Sequence, residues 1–225
     1  MVTRSVEPAP PTADRAMLEA TWPATLAVLA AIGLYVTLPA SLVLGPVWIV
    51  PALEGAILIP LTLIRPHRHA AESGRTRMAA IVLIAIANLG NVASLALLIH
   101  LLLGGLHISG RTLVFSAIQI YLTNVLVFGL WYWEIDGGGP AARLARRSPY
   151  RDFLFPQMNA TEQAPPGWRP EFIDYLYVSL TNATAFSPTD TMPLTRKVKL
   201  LMGIQCVASL LIVALVAGRA VNILT

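Results

Sequence analysis

A chain of 225 residues that is 56% hydrophobic, 12% charged and has a mean hydropathy of +0.65 reads as a polytopic membrane protein rather than a soluble domain. The formal charge of +4 invites a nucleic-acid partner, but the positions of the basic residues argue for membrane topology instead. One cysteine, Cys206, lies inside an apolar run, so no intramolecular disulfide forms and the thiol packs as a small hydrophobe.

Residues 1–21 are rich in Pro, Ala and charge and read as a disordered or surface-lying segment without a signal-peptide arrangement. The first apolar helix is expected from Trp22 to about Ala40. Pro39, Gly45 and Pro46 then punctuate a tight hairpin into a second span, Val47 to Ile64. Residues 65–77, RPHRHAAESGRTR, form a polar loop. The third span runs from Met78 to Leu103 and a short polar turn leads to the fourth, Thr112 to Trp133. That span closes on a Trp-Tyr-Trp cluster of the kind found in interfacial aromatic belts. Residues 134–170 form a long connector rich in Pro, Gly and Arg.

The segment after the connector has a different pattern. Phe172 to Ala183 is an apolar run with helical spacing. At about 1.5 Å per residue it reaches roughly 18 Å, well short of a hydrocarbon core of about 30 Å. Thr184 to Thr195 is rich in hydroxyls and is broken by Pro188 and Pro193, so it is not helical throughout. Leu200 to Leu224 is long and apolar enough to span. A half-length helix, an irregular return and a full span describe a re-entrant loop. Irregular backbone at membrane depth is tolerated where protein buries it or where it lines a watery cavity.

This stretch resembles the pore module of the tetrameric potassium-channel superfamily: pore helix, selectivity filter, inner helix. The family pattern is T-x-x-T-x-V-G-Y-G-D-x-x-P. Without a gap, Thr181, Thr184, Phe186, Ser187, Pro188, Thr189, Asp190 and Pro193 fall on T, T, V, G, Y, G, D and P. Both threonines, the aspartate and the last proline are identical, while the two glycines and the tyrosine are replaced. The similarity covers about 50 residues, Glu171 to Asn222, or about 90 if Leu113–Trp133 is the preceding outer helix. The module, followed by a basic start to the last helix, also resembles a group of bacterial membrane proteins of the DUF1345 type.

The departures have physical consequences. A potassium filter lines its path with backbone carbonyls. Ser187 and Thr189 lack the freedom of glycine at positive φ, and Pro188 fixes φ near −65° without an N–H. The expectation is therefore a degenerate, non-potassium filter at Thr184, Ala185, Phe186, Ser187, Pro188, Thr189 and Asp190, lined by the hydroxyls of Thr184, Ser187 and Thr189. Phe186 reads either as a hydrophobic gate or as a wedge behind the filter. Asp190 reads either as a carboxylate ring that favours cations or as a helix-cap anchor.

Basic residues set the orientation. With five spans, one side holds Arg4, Arg15, Arg65, Arg68, Arg75, Arg77, Arg143, Arg146, Arg147, Arg151, Arg169, Arg196, Lys197 and Lys199; the other holds only Arg111 and Arg219, a split of 14 to 2. Enrichment of Lys and Arg in cytoplasmic loops puts the N-terminus inside and the C-terminus outside. The pore loop then enters from the cytoplasm, inverted relative to a potassium channel. The ionotropic glutamate receptors carry the module in that inverted sense.

Other polar residues have both functional and plainer structural readings. Glu54 is an acid within the second span, hence either functional or hydrogen-bonded to Asn88 or Asn91. Asn88 and Asn91 share a helix face and, with Gln119 and Asn124, suit a polar seam between helices. His67 and His69 lack a third ligand and read as a solvated loop, and His100 and His107 stand apart, so no metal site is assigned. The glycines of WYWEIDGGGP lack the strand and the Lys-Ser/Thr pair of a phosphate loop. Arg143, Arg146 and Arg147 suit anionic headgroups or an electropositive vestibule. Trp133 and Trp168 read as interface anchors, and Asn159 and Asn182 match a glycosylation pattern by chance. No nucleophile has a base beside it, so neither an enzyme nor a cofactor is expected.

The fold expected is an all-α polytopic membrane protein with five transmembrane helices and a re-entrant pore helix and filter-like loop before the last. Its segments are an N-terminal piece (1–21), a three-helix scaffold (22–111) and a pore module (112–225). The function expected is a homotetrameric ion channel of the bacterial inner membrane, weakly selective for cations. An anion channel and a non-conducting scaffold or transporter are the alternatives. The partners are permeating ions and the lipid bilayer.

Overall fold

The computed structural model describes residues 18–20, 22–64, 67–69, 74–103, 109–145, 150–186 and 190–224. Most of the N-terminal segment, His107, Arg146, Arg147 and the filter-like Ser187, Pro188 and Thr189 lie outside the described residues.

The described chain is mainly helical. The short strand β1 (Leu18–Ala20) precedes α1 (Trp22–Val36), and a 3₁₀ turn at Ala40–Leu42 leads to α2 (Ile49–Ile64). Next come β2 (His67–His69), α3 (Gly74–Leu103) and α4 (Gly110–Ile135). The connector carries a 3₁₀ turn (Asp136–Gly138), α5 (Pro140–Leu144), β3 (Phe153–Leu154) and α6 (Pro156–Asn159). Last are α7 (Phe172–Ala185), β4 (Met192–Pro193) and α8 (Arg196–Leu224). Three helices, α3, α4 and α8, are long and apolar enough to cross a membrane, whereas α1 and α2 are shorter apolar helices.

Local sequence explains the helix boundaries. Ser109 caps α4 by accepting from the Thr112 N–H at 3.1 Å. Glu171 and Asp174 form a reciprocal capping box on α7, with the Glu171 N–H donating to Asp174 Oδ2 at 2.8 Å. Pro140 and Pro156 open α5 and α6, where a missing N–H has no cost. At its other end α7 stops on Phe186, whose φ of 55° is left-handed. A non-glycine residue there costs about 1–2 kcal/mol.

Helix α4 is the hub: α1, α3, α7 and α8 all pack on it, and α2 packs on α3. Two glycines set close approaches. A Cβ on Gly129 of α4 would lie 3.2 Å from the Cα of Leu176 in α7. A Cβ on Gly90 of α3 would lie 3.2 Å from the Tyr35 ring of α1. Among the described residues, the 3₁₀ turn at Ala40–Leu42 packs with Leu98 and Leu113, while the short strands belong to other connecting segments. Of these, β1 pairs antiparallel with β2, Leu18 opposite His69, and β3 with β4, Phe153 opposite Pro193. α5 touches both β1 and β2.

Candidate functional site

The site is built where α7 lies between α4 and α8. Its register is read from three contacts. The Phe172 ring meets Trp133 edge-on, 5.9 Å between centroids. Leu176 faces Gly129. The Ser179 hydroxyl donates to the Val125 carbonyl at 2.7 Å. So α7 runs antiparallel to α4, from its C-terminal end toward its middle. Its 14 residues extend about 21 Å at 1.5 Å each. The chain then returns: the Leu194 N–H donates to the Asp152 carbonyl at 2.8 Å, and Thr195 donates to Asp152 Oδ1 at 2.6 Å. Both ends of the 172–195 segment are thereby tied to the connector end of α4.

That end is held by a buried charged cluster. Asp136 and Asp152 are both fully buried. Asp136 Oδ1 accepts from the Asp152 and Phe153 N–H groups at 2.7 and 3.2 Å, and its Oδ2 accepts from the Tyr175 hydroxyl at 2.7 Å. Asp152 Oδ2 accepts from the Gly137 N–H at 2.9 Å. Arg151 stands 3.5 Å from Asp136, and Lys197 stands 3.1 Å from Asp152. Arg143 donates to the carbonyls of Trp133 and Asp136 at 2.6 and 2.8 Å and lies 5.0 Å from the centre of the Tyr175 ring. Each buried charge thus has partners, as burial demands. The cluster joins α4, the connector, α7 and the start of α8.

Midway along α7, a second network is uncharged. Gln205 of α8 is fully buried. Its Oε1 accepts from the Tyr132 hydroxyl at 2.5 Å and from Asn182 Nδ2 at 2.7 Å. Its Nε2 donates to Ser179 O at 3.0 Å and Ser179 Oγ at 2.7 Å. Asn182 Nδ2 also donates to the Met202 carbonyl at 3.1 Å, and the Cys206 thiol lies 3.3 Å from Asn182 Oδ1. Deeper still, Asn124 donates to the Ser209 hydroxyl at 3.0 Å.

Beyond this network the filter-like residues emerge. Thr184, Ala185, Phe186 and Asp190 are all exposed on the isolated chain. The Thr184 hydroxyl donates back to Leu180 O at 2.8 Å, with Thr181 O at 3.2 Å. Thr181 does the same toward Tyr177 O at 3.0 Å. A hydroxyl whose proton is engaged by its own helix presents only lone pairs outward. Phe186, 40% exposed, is not a wedge in this chain's core.

Several expectations need correction. Trp133 is buried against Phe172 rather than standing at an interface, whereas Trp168 is half-buried, edge-on to Phe155 at 5.8 Å. Arg143 is buried under Tyr175, so it offers nothing to a headgroup or vestibule. The burial of Asn182, by contrast, agrees with reading its glycosylation match as chance. The four-residue seam is dispersed: Gln119 donates to Thr37 at 2.7 Å, and Asn124 turns to α8. Glu54 and Asn91 are buried and Asn88 is half-buried, yet no hydrogen bond joins Glu54 to either asparagine among the described residues. The backbone of His67 and His69 sits in β2.

The residues missed were Asp136, Asp152, Tyr175, Ser179 and Gln205. Gln205 had a legible signal, an amide set within the apolar first half of the last span. An open groove of about 520 Å³ between α1, α4 and α7 is lined by Gly33, Leu122, Leu126, Leu176, Leu180 and other apolar residues. Its lining offers no ion a ligand. Comparison of the chain with protein-family profiles, curated proteins and solved structures finds no match.

Proposed function

We propose that the chain is one subunit of a homotetrameric ion channel of the inner membrane, with weak selectivity for cations. In this reading α1, α2, α3, α4 and α8 are five spans and α7 is a re-entrant pore helix. The observation that carries it is the path of residues 172–195. A half-length helix descends beside α4, ends at exposed Thr184 and Phe186, and the chain comes back to the connector end at Leu194 and Thr195. Non-helical backbone at membrane depth is tolerated where protein buries it or where it lines a watery cavity, and the exposure of Thr184, Phe186 and Asp190 on the single chain favours the cavity. The exposed apolar side of α8, with Leu200, Ile204 and Val207, has room for neighbouring copies or lipid.

Cation preference is supported by two features. The hydroxyl of Thr184 turns its proton inward and its lone pairs outward. The C-terminal end of α7 adds partial negative charge at the same place. An anion path is less well supported, because Lys197 is engaged by Asp152 rather than free to attract anions. By the basic-residue asymmetry the N-terminus is cytoplasmic and the C-terminus outside, so the pore loop is inverted.

The test is current across planar bilayers holding purified protein in asymmetric KCl. Reversal toward the potassium potential supports the proposal. Reversal toward chloride selects the anion reading. Silence from a verified tetramer selects the non-conducting scaffold. A reporter active only in the cytoplasm, fused to the C-terminus, is expected to stay dark; a bright signal would refute the inverted orientation.

A further inference from the structure

We infer that Gln205 is a positioning residue for the pore helix: its side chain clamps α7 between α4 and α8 and so sets where Thr184 and Phe186 stand. This rests on the channel reading above. Four groups converge on one amide. Tyr132 comes from α4, Ser179 and Asn182 from α7, and Gln205 itself from α8, with every contact between 2.5 and 3.0 Å. All four residues are fully buried, so water does not replace a lost partner cheaply.

The chemistry of the amide suits the task. Its oxygen takes two donors from two different helices, and its nitrogen gives to a backbone carbonyl and a hydroxyl of one helix turn. Apolar packing alone leaves a helix free to slide or rotate by small steps, since its contacts are non-directional. Four directed bonds remove that freedom. Asn182 lies two residues before Thr184 and three before the last helical residue, Ala185. A slip at Asn182 therefore appears directly at the exposed hydroxyl and at the left-handed Phe186. Ser179 passes the restraint to α4 through Val125. The clamp ties the depth of α7 to both long helices beside it.

The clamp has consequences that a filler of the same volume would not. Gln205→Leu keeps the bulk and deletes every directed bond. Gln205→Glu keeps the acceptor oxygen toward Tyr132 and Asn182. Tyr132→Phe removes one donor only, and serves if Gln205→Leu fails to fold. The experiment has two readouts on full-length protein in lipid. The first is amide hydrogen exchange over residues 178–185, with α3 as internal control. Loss of the clamp is expected to speed exchange about tenfold at Ser179–Ala183 while α3 is unchanged. The second is the reversal potential in asymmetric KCl, which a purely structural loss of folded protein would not move, since it changes only the number of channels. Gln205→Leu is expected to shift the cation-to-anion permeability ratio about threefold or more, and Gln205→Glu to restore part of it.

Conducting protein with an unchanged ratio in Gln205→Leu overturns the inference and leaves the channel standing. Silent wild-type protein overturns the channel reading, and with it the link to selectivity. Exchange then decides the clamp alone: unchanged protection of Ser179–Ala183 in Gln205→Leu overturns it, and local loss with α3 intact supports it.

Discussion

Replacing Asp152 by alanine tests whether the charged cluster holds the two ends of the 172–195 segment together. Asp152 is fully buried and its carboxylate receives the Gly137 N–H, the Thr195 hydroxyl and the Lys197 ammonium. Alanine leaves the first two donors without an acceptor. The buried Gly137 N–H costs about 1–3 kcal/mol as an orphan and the part-buried Thr195 hydroxyl at most as much, so the pair costs up to about 6 kcal/mol. The Lys197 side chain is 49% exposed, so water screens it and its share is about 0–1 kcal/mol. A total near 4 kcal/mol lowers the unfolding midpoint by about 8–16 °C for a chain of this size. The assay is tryptophan-fluorescence unfolding of detergent-solubilised protein at a fixed heating rate, since membrane proteins often unfold irreversibly. Asp152→Asn retains an acceptor oxygen and is expected to lose roughly half as much. An alanine variant that melts within about 2 °C of the wild type would refute the reasoning, because it would mean that the buried donors find other partners.

Other perturbations follow from the same contacts. Gly129→Val places side-chain atoms where the Leu176 backbone already stands, 3.2 Å from a Cβ. It is expected to cost about 1–3 kcal/mol and to raise exchange along α7, measured by hydrogen exchange. Arg143→Lys keeps the charge but cannot span Trp133 O and Asp136 O while lying on the Tyr175 ring. A midpoint lowered by several degrees is expected, and a variant as stable as wild type would contradict the planar-fork argument. Thr184→Val removes the exposed lone pairs with little change of shape, and Asp190→Asn removes an exposed charge. Each is expected to weaken cation preference in the reversal potential without altering yield or oligomeric state. Phe186→Gly relieves the positive φ and is expected to stabilise the helix end by about 1 kcal/mol in the same unfolding assay.

The helices were legible because apolar runs and breakers are local signals. The expected starts at Trp22, Val47, Met78, Thr112 and Phe172 fall within four residues of the observed ones. The last helix starts at Arg196, before the expected Leu200, because Lys197 and Lys199 are accommodated at an exposed end. Membrane character was legible from composition, and three helices have the length and hydropathy to cross. The partners of polar residues were not legible. Asn124 and Gln119 sit five apart on α4, yet one turns to α8 and the other to Thr37. Sequence spacing gives a face but not the neighbour on that face. Arg143 resembled a surface arginine because its run is basic, but the positive φ of Gly137 folds the connector back and buries it.

The order of apolar and irregular segments, the half-length of the helix after the connector and the asymmetry of basic residues were determined by sequence alone, because each depends only on residue type and spacing. Which end of α4 receives the start of α8, and which amide and carboxylates lock α7 in place, were decided by tertiary structure. Asp136 and Asp152 are separated by 16 positions and Tyr132 and Gln205 by 73, yet each pair meets within a bond length suited to hydrogen bonding. No local propensity specifies such pairs. They exist only once α4, α7, α8 and the connector are packed together; at the α4–α7 contact Gly129 lets the Leu176 backbone come close.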